Sequence, residues 1–412
     1  IKFMILDTIS KLDKVLILGF AREGQSTYNF LKKRFPHLQI DTADQKDNSE
    51  YLSSLKNYKI IIKTPGISPH KPEIEDAIKN DVIFTSQTEI FFEVCPGKII
   101  GVTGTKGKST TASLIYHVLQ KVGLPAVLAG NIGKPALDFL DEIKHDDWVV
   151  MELSSYQLMD LQKSPHIAVL QNIYPDHLDY HKDFEEYKAA KLNITKYQTE
   201  SDYLITAFDT PTKAKKIIIT PEPIESQLLG EHNLYNIKPS IIIGELLGIP
   251  RPQILDSIKT FIPLDTRLTK IGTFKNITFY EDCLATIPEA TIAALSAIPS
   301  GVNTLICGGH ERKQNYSNLA KEILHKGISI LILFPATGER IAEEVLNLSS
   351  NPSPKLLHVT SMPEAVQKAF ANTPSGGTVL LSPAAPSFTL FKDYRDESAQ
   401  YRAAIANLPS TS

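Results

Sequence analysis

Residues 101–111 have the sequence Gly101-Val-Thr-Gly-Thr-Lys-Gly-Lys-Ser-Thr-Thr111, which follows an apolar run and opens a helical pattern. Glycines let successive backbone N–H groups face an anion, and the following helix adds the positive end of its dipole. In this arrangement Lys108 meets the terminal phosphates and the Ser109 hydroxyl binds Mg²⁺. The spacing departs from the usual G-x-x-x-x-G-K-[ST], because Val102 occupies the first glycine position. The stretch still predicts a phosphate-binding loop rather than a flexible surface loop.

Short runs that are apolar throughout recur between helical patterns along the chain. Such runs mark strands that are buried on both faces of a parallel sheet. They are Lys14–Gly19, Lys59–Lys63, Lys98–Thr103, Trp148–Glu152, Ile167–Gln171, Thr304–Cys307, Ile328–Phe334 and Thr378–Ser382. The predicted fold class is therefore α/β.

Clusters of Pro and Gly interrupt the chain at two places. Cys95-Pro-Gly97 precedes the strand of the phosphate loop, and a second group of prolines lies between Gly248 and Leu264, before a β-rich stretch. Clusters of this kind mark domain boundaries. The 412 residues suffice for about two or three domains. We predict domains at residues 1–93, 94–263 and 264–412.

Composition restricts the partners of the protein. The net charge is −3 with acidic and basic residues interspersed, so no global field attracts nucleic acid or anionic lipid. Cys95, Cys283 and Cys307 lie far apart in the sequence, which is typical of free thiols in a reducing compartment. No apolar run approaches the roughly 20 residues of a membrane span, and the first residues lack a signal-peptide pattern. We expect a cytoplasmic monomer that binds small molecules.

The first predicted strand leads into a turn that contains Gly19 and Gly24 but lacks the full G-x-G-x-x-G motif. A helix that starts near Gly24 can hold a pyrophosphate, and Asp44, which follows the next strand, can hold a ribose hydroxyl. A purely structural turn explains these residues equally well.

Polar residues follow two of the predicted strands in the middle of the chain. Glu152 ends one strand, and Asp176, His177 and Asp179 follow another. Open α/β sheets bind ligands at the carboxyl ends of their strands, and carboxylates with an imidazole suit a metal-phosphate site. Each residue alone is equally typical of a cap, a turn or a surface ion pair. The neighbouring phosphate loop favours the metal site.

Two residue pairs share a helical spacing. Lys188 and Lys191 lie on one face of a predicted helix, and Asn233 and Asn236 have the same i, i+3 spacing. Paired amides can contact an adenine edge, whereas lysines on a helix are ordinarily solvated and asparagines commonly make caps or turns. Neither pair indicates a site without further information.

Taken in chain order, these segments resemble the Mur ligase family over nearly the whole chain, and most closely its glutamate-adding members. The matching stretches are Thr64–Ser68, Thr103–Thr110, Gly130–Gly133, Glu152–Leu158, Asp176–Asp179, Tyr187–Lys191, His232–Asn236, Gly308-Gly309 and Leu381–Ala384. The resemblance implies an N-terminal Rossmann-like domain for UDP, a central ATPase domain and a C-terminal Rossmann-like domain for the amino acid.

The resemblance also implies a reaction in peptidoglycan precursor synthesis. ATP phosphorylates the carboxylate of UDP-N-acetylmuramoyl-L-alanine, and the amine of D-glutamate attacks the acyl phosphate to form an amide. A carboxylate requires this activation because it is a poor electrophile at neutral pH. Catalysis is then largely a matter of positioning and charge neutralisation.

Position by position, the resemblance assigns roles to residues of this sequence. Catalysis is assigned to Lys108, His177 and Lys191. Two Mg²⁺ sites are assigned to Ser109, Glu152, His177 and a carbamylated Lys191, in which CO₂ turns a cation into an anionic ligand. ATP binding is assigned to Gly104, Thr105, Lys106, Gly107, Lys108, Ser109, Thr110, Asn233, Asn236, Arg267 and Asp282. Contacts to the muramoyl-alanine arm are assigned to Asn131 and Gln157, and contacts to glutamate to Thr286, Arg312, Ser387 and Tyr394.

The predicted amino-acid site departs from the family pattern. The family has Asp-Ser-Lys-[Ser/Ala]-Thr-Asn where this chain has Asp282-Cys-Leu-Ala-Thr-Ile287, so Leu284 replaces a lysine and Ile287 an asparagine. Three hypotheses stay open: D-glutamate in a rearranged pocket, L-glutamate, and a catalytically silent nucleotide-binding subunit. A folylpolyglutamate synthase, or a ligase for another step of the peptide stem, is disfavoured by Asn131-Ile-Gly133 and Leu381-Ser-Pro-Ala384.

Overall fold

A computed structural model describes residues 5–178, 180–348, 354–388 and 390–408. The chain divides into two compact units. The first comprises Ile1–Glu225 and Leu234–Phe261, and the second comprises Ser226–Asn233 and Ile262–Ser412. Both units consist of helices and mostly parallel sheets, so the predicted α/β class is confirmed.

The first unit contains two sheets. Its strands are β1 (Lys14–Leu18), β2 (Gln39–Ala43), β3 (Ile60–Lys63), β4 (Ile83–Thr85), β5 (Lys98–Thr103), β6 (Ala126–Gly130), β7 (Trp148–Glu152), β8 (Ile167–Leu170), β9 (Tyr203–Thr206) and β10 (Lys215–Ile218). Its helices are α1 (Ile5–Ile9), α2 (Arg22–Arg34), α3 (Pro72–Lys79), α4 (Gln87–Val94), α5 (Lys108–Lys121), α6 (Ser155–Leu158), α7 (Phe184–Lys196), α8 (His232–Leu246) and α9 (Arg251–Lys259). The first two residues of α8 belong to the second unit.

Strand order in the second sheet of this unit positions the candidate site. The two sheets have the orders β2-β1-β3-β4 and β10-β9-β8-β5-β7-β6, and their strands pair in parallel. β5 lies between β7 and β8, with Val102 opposite Glu152 and Thr103 opposite Leu170. Because the three strands end at the same edge, the segments that follow them lie side by side.

The second unit contains one six-stranded sheet with helices on both faces. Its strands are β11 (Thr269–Phe274), β12 (Ile277–Glu281), β13 (Thr304–Gly308), β14 (Ile330–Phe334), β15 (Lys355–His358) and β16 (Thr378–Leu381). Its helices are α10 (Pro288–Ala297), α11 (Ser317–His325), α12 (Thr337–Leu348), α13 (Met362–Asn372) and α14 (Tyr394–Ala406). The order is β11-β12-β16-β13-β14-β15, with β11 antiparallel to β12. Successive residues such as Leu305 and Ile306 enter different core clusters, because a strand points alternate side chains to opposite faces.

The apolar runs predicted eight strands, and each of them forms. They correspond to β1, β3, β5, β7, β8, β13, β14 and β16. The runs did not indicate β4, β6, β9, β10 or β15. Apart from β9, these strands lie at sheet edges, where they are only partly buried. A partly exposed strand does not need an apolar residue at every position.

The predicted domain boundaries remain predictions. Residue 93 lies near the end of α4, and the sheets of the first unit occupy residues 14–85 and 98–218. The segment 226–233 groups with the second unit, although the boundary at 263 assigns it to the central domain. Cys95, Cys283 and Cys307 are free thiols, as predicted. Within the described part of the chain, no helix combines the length and apolar character needed to cross a bilayer.

Candidate active site

The loop between β5 and α5 has the backbone that the glycines predicted. Gly104 has φ +152° and Gly107 has φ +86°, in the region that side-chain-bearing residues rarely adopt. A Cβ atom at Gly107 would lie 2.1 Å from Oδ1 of Asn236, and one at Gly104 would lie 2.6 Å from Cβ of Gln171. α5 begins at Lys108 without a capping side chain, so the positive end of its dipole faces the loop. The structure thus places Asn236 beside the predicted phosphate loop.

The segment after β8 anchors this loop. The backbone N–H of Thr105 donates to the carbonyl of Asn172 at 2.7 Å, and that of Lys106 donates to Asn172 Oδ1 at 2.9 Å. The hydroxyls of Thr105 and Tyr187 are hydrogen-bonded at 2.9 Å. Sequence reasoning gave no role to Asn172 or Tyr187. The available signal for Asn172 was its position at the end of a predicted strand.

Lys108 folds back over the loop. Its ammonium group donates to the carbonyls of Gly104 at 3.0 Å and Thr105 at 2.9 Å. These two hydrogen bonds hold the ammonium group at the loop. Lys108 is therefore placed to attract a phosphate group.

Lys191 is buried on α7, with only 2% of its surface exposed. Its amine donates to the carbonyl of Gly104 at 2.7 Å. Burial, followed by the charge of Lys108, lowers the pKa of Lys191 well below its ordinary value. The carboxylates of Asp176 and Glu152 oppose this shift but do not overcome it. The environment therefore favours a neutral amine at the loop.

Glu152 presents a buried oxygen toward the same region. The residue is 1% exposed, and its Oε1 accepts a hydrogen bond from Asn131 Nδ2 at 3.0 Å. Its Oε2 is buried and has no hydrogen-bond partner among the residues that the structure describes. Such an oxygen is costly to bury and is a suitable ligand for a hard cation. Glu152 therefore fits the predicted Mg²⁺ site.

The described residues contain no group of three or more His, Cys, Asp or Glu side chains placed to hold a metal ion. Mg²⁺ sites commonly use one or two carboxylates together with phosphate oxygens and water. One carboxylate beside a phosphate loop therefore suits Mg²⁺ better than a metal that needs a full protein ligand set.

Asp176 and His177 lie on the other side of the loop. The carboxylate of Asp176 is 3.6 Å from Lys106 Nζ. Burial alone would raise the pKa of Asp176, but Lys106 and His177 hold it below its ordinary value. His177 has φ +56°, and its Nδ1 is 2.7 Å from the hydroxyl of Tyr156. Asp179, the third polar residue of this motif, lies outside the described residues.

Gln157, a predicted substrate contact, is engaged within the protein. Its side-chain oxygen accepts from the backbone N–H of Ser154 at 3.0 Å, as part of a capping box that starts α6. Its Nε2 donates to Oε1 of Glu23 at 3.0 Å. Burial raises the pKa of Glu23 above its ordinary value. These contacts explain the orientation of Gln157, and its contact with substrate stays a prediction.

The turn after β1 has a structural role. Gly19 has φ +90°, and a Cβ atom there would lie 2.0 Å from Oγ1 of Thr64. Asp44 accepts hydrogen bonds from the backbone N–H groups of Phe20 at 2.6 Å and Lys46 at 3.0 Å. The contact of Asp44 with a ribose stays a prediction.

Several predicted nucleotide contacts in the second unit stabilise their own segments. Asp282 Oδ1 accepts from the backbone N–H of Leu268 at 3.2 Å, which connects Asp282 to the segment of Arg267. The side chain of Asn233 donates to the carbonyl of Leu229 at 2.7 Å. Their contacts with nucleotide stay predictions.

The predicted glutamate contacts occur in loops and at a helix start of the second unit. The carbonyl of Thr286 accepts a hydrogen bond from Nε2 of Gln314 at 3.3 Å. Gln314 lies in the loop between β13 and α11, which also contains the partly buried Arg312. Ser387 is hydrogen-bonded to Glu397 of α14, the helix that begins at Tyr394. Sequence reasoning did not identify Glu397, because nothing in the local pattern separates it from a solvated helix glutamate.

Comparisons with known proteins identify the family of this chain. The family model described as "Mur ligase middle domain" matches residues 102–223. The model described as "Mur ligase, glutamate ligase domain" matches residues 266–385. A relative from Acetivibrio thermocellus, named UDP-N-acetylmuramoylalanine--D-glutamate ligase, is 33% identical over 398 residues, which cover 87% of this chain and 84% of that protein. The chain belongs to the Mur ligase family.

A second relative and a solved structure are also similar to this Mur ligase over most of the chain. A relative of the same name from Ruminiclostridium cellulolyticum is 32% identical over 93% of this chain and 90% of that protein. The crystal structure of MurF ligase from Thermotoga maritima in complex with ADP matches with a TM-score of 0.59 and 16% identity, covering 96% of each chain. At that identity the likeness shows the shared fold alone. The middle-domain match includes the phosphate loop, Glu152, His177 and Lys191.

Proposed function

We propose that this Mur ligase joins D-glutamate to the alanine carboxyl group of UDP-N-acetylmuramoyl-L-alanine, with ATP converted to ADP and phosphate. The proposal is supported by three features that lie together: the predicted phosphate loop, the buried amine of Lys191 and an oxygen of Glu152 that has no hydrogen-bond partner among the described residues. The identity of the substrates comes from the names of the relatives that cover most of the chain.

The chemistry requires two displacements. A carboxylate oxygen of the alanine attacks the terminal phosphorus of ATP, a P–O bond forms, and ADP leaves with the electron pair of the broken bond. The amine of glutamate then attacks the acyl carbon and loses a proton, and phosphate leaves as the amide forms. Lys108, at the loop carbonyls, lowers the barrier of the first step by neutralising charge on the phosphates.

Mg²⁺ fits this site at Glu152, with Ser109 at the start of α5 as a second ligand. When bound, the ion supplies positive charge that screens the phosphate oxygens. Asn131 holds Oε1 of Glu152 and thereby orients the carboxylate. His177 is proposed to serve a second ion, because it lies beside Asp176 on the other side of the loop.

Lys191 is proposed to carry a carbamate. Its neutral amine attacks CO₂, an N–C bond forms, and the amine loses a proton, leaving an anionic carboxylate. The low pKa that burial produces in Lys191 supplies the neutral amine. The modification converts a neutral amine near Lys106 and Lys108 into an anion that is able to bind Mg²⁺.

D-glutamate is proposed over L-glutamate because the relatives named for the reaction use the D form. Leu284 and the buried Ile287 alter the loop where the enantiomer is recognised. A cytoplasmic site of action is proposed with it, since the free thiols are typical of a reducing compartment.

The test is product formation from defined substrates. Purified protein is incubated with ATP, Mg²⁺, UDP-N-acetylmuramoyl-L-alanine and either D- or L-glutamate, and the product is identified by mass. We expect an ATP-dependent product with D-glutamate. Lys108→Ala should lose it while remaining folded, whereas Lys121→Ala, exposed at the other end of α5, should retain it.

Each other outcome has a defined meaning. Product with only the L form would overturn the choice of enantiomer and leave the ligase chemistry standing. Nucleotide binding without product from either enantiomer would favour a silent nucleotide-binding subunit. Wild-type turnover by Lys108→Ala would contradict the role of the phosphate loop.

A further inference from the structure

A buried carboxyl group is hydrogen-bonded to Ser387, a residue of the predicted glutamate site. Glu397 is 1% exposed on α14, and its Oε2 is hydrogen-bonded to Oγ of Ser387. The cap of α14 holds the first turn in place, because Asp393 accepts from the backbone N–H groups of Arg395 and Asp396. Ser387, itself buried in the segment after β16, is one of the four residues that the family resemblance assigns to the incoming glutamate.

A second buried carboxylate takes the nearby cation. Glu281, at the end of β12, is 0% exposed and accepts hydrogen bonds from Nε and Nη2 of Arg402. Its other oxygen accepts from Ser398 Oγ at 2.8 Å. Arg402 also reaches Asp265. In the part of the chain that the structure describes, no basic side chain forms an ion pair with Glu397.

Three further ionisable groups lie at this cluster: Cys283, Tyr401 and the carboxylate of Asp282, which acts on Cys283. Cys283 follows β12 and Tyr401 lies on α14, and burial raises the pKa of both side chains. Burial, and then the charge of Glu281, raise the pKa of Glu397 to about 8, although the hydrogen bond with Ser387 opposes the rise. Glu397 is therefore mainly protonated at pH 7.

We propose that Glu397 is a positioning residue for the amino-acid substrate. In the structure the hydroxyl of Ser387 donates to Oε2 of Glu397; a protonated Glu397 reverses this bond by donating its carboxyl hydrogen to Oγ of Ser387, which leaves the hydroxyl hydrogen of Ser387 for a carboxylate of the incoming glutamate. The inference rests on the proposed function, which supplies the substrate, and on the glutamate contact at Ser387 that the family resemblance assigns.

The protonation state matters because a hydroxyl group has a single hydrogen. When Glu397 is ionised it accepts that hydrogen, and Ser387 then presents only lone pairs to the substrate carboxylate. An ionised Glu397 also adds a negative charge behind a pocket that binds a dicarboxylate. Leu284 provides no charge where the family has a lysine, so the orientation of this hydroxyl has more influence on binding here.

The experiment measures kcat and the KM for D-glutamate between pH 7 and pH 9, at saturating ATP and UDP substrate. For the wild type we expect the KM to rise about tenfold over this range, because the neutral fraction of a group with a pKa near 8 falls by about that factor. Glu397→Gln keeps the shape of the neutral group but does not titrate, so its KM should not show the tenfold increase of the wild type between pH 7 and pH 9. Glu364→Gln, on α13 and paired with Lys368, is the matched control and should follow the wild-type profile.

Titration of the substrate's own amine affects all variants equally, so the decisive quantity is the ratio of their KM values at each pH. A ratio of Glu397→Gln to wild type that does not change with pH would overturn the proposal. A pH-dependent difference between Glu397→Gln and the wild type that occurs in kcat and not in KM would also overturn the proposal, because the proposed role is in substrate binding.

A second variant keeps the proposal testable if Glu397→Gln fails to fold. Ser387→Ala removes the hydroxyl and retains the carboxyl group. We expect Ser387→Ala to have a raised KM for D-glutamate already at pH 7 and to lack the tenfold increase that the Glu364→Gln control shows between pH 7 and pH 9. An increase in the KM of Ser387→Ala as large as that of the wild type would overturn the proposal. Absence of product from wild-type protein at every pH would overturn the proposed function and this inference with it, whereas product with parallel pH profiles would overturn the inference alone.

Discussion

α7 of the first unit and α14 of the second are helices of 13 residues, and each buries a tyrosine and one side chain that is ordinarily charged at neutral pH. α7 buries Lys191 and α14 buries Glu397. Burial is the largest cause of both pKa shifts: it lowers the pKa of the lysine and raises that of the glutamate. Because burial penalises charge of either sign, the two opposite pKa shifts both favour the neutral form of the side chain.

The surroundings of the two residues differ in sign. Lys191 lies among other cations, and Lys108 lowers its pKa further. Glu397 lies near Glu281, which raises its pKa further. In each case a like charge reinforces burial. The neutral amine is suited to form a bond with CO₂, and the neutral carboxyl group is suited to donate a hydrogen bond.

The largest expected effect is that of Lys191→Ala. We expect its kcat to fall by at least about 100-fold, the loss that removal of one charge-stabilising group typically causes. Acetate should restore part of the activity by replacing the carbamate. Lys188→Ala, an exposed lysine of the same helix, is the matched control and should remain active.

A direct measurement accompanies these rates. Carbon-13 bicarbonate should give a carbamate NMR signal in the wild type that is missing from Lys191→Ala. Full activity of Lys191→Ala together with no carbamate signal in the wild type would contradict the proposed carbamate on Lys191.

The next effect is a pH dependence of stability with opposite sign at the two residues. Glu397 has a folded pKa of about 8 against an ordinary value of 4.5, so its contribution to stability is fully present below pH 4.5 and is lost as pH rises through 8. The loss amounts to a few kcal/mol. Lys191 has a lowered folded pKa, so its contribution increases as pH rises.

Denaturant unfolding at pH 6, 7, 8 and 9 measures both contributions. As pH rises, the free energy of unfolding of Glu397→Gln should increase relative to that of the wild type. The free energy of unfolding of Lys191→Met should decrease relative to that of the wild type over the same range. Parallel stability curves for the wild type and Glu397→Gln would contradict a neutral buried Glu397.

The smallest effects are expected at the two helix caps. Asp183 accepts from the backbone N–H of Glu186 at the start of α7, and Asp393 caps α14 in the same way. Asp183→Ala and Asp393→Ala should each cost about 1 kcal/mol of unfolding free energy. Asp→Asn at each position keeps a capping oxygen and serves as the control. Because Glu397 lies nearer its cap than Lys191 does, only Asp393→Ala should also raise the KM for glutamate.

Local sequence was sufficient where local rules apply. The β5-loop-α5 unit was predictable from residues 98–111, because its apolar run and its glycines are consecutive in the chain. Pro239 shows the opposite case. A proline is expected to interrupt a helix, but α8 continues through it from His232 to Leu246. The buried residues Ile237 and Ile241 pack this helix into the core and outweigh the local preference.

Residue types and their spacing along the chain were enough to predict the α/β class and the phosphate loop and to show the resemblance to the Mur ligase family. Packing in three dimensions disfavours the charged forms of Lys191 and Glu397 and leaves an oxygen of Glu152 without a hydrogen-bond partner among the described residues. Lys191 contacts Gly104, 87 residues away in the chain, and Ser398 of α14 contacts Glu281, 117 residues away. A pKa depends on burial and on charges nearby in space, and neither is set by adjacent residues in the sequence.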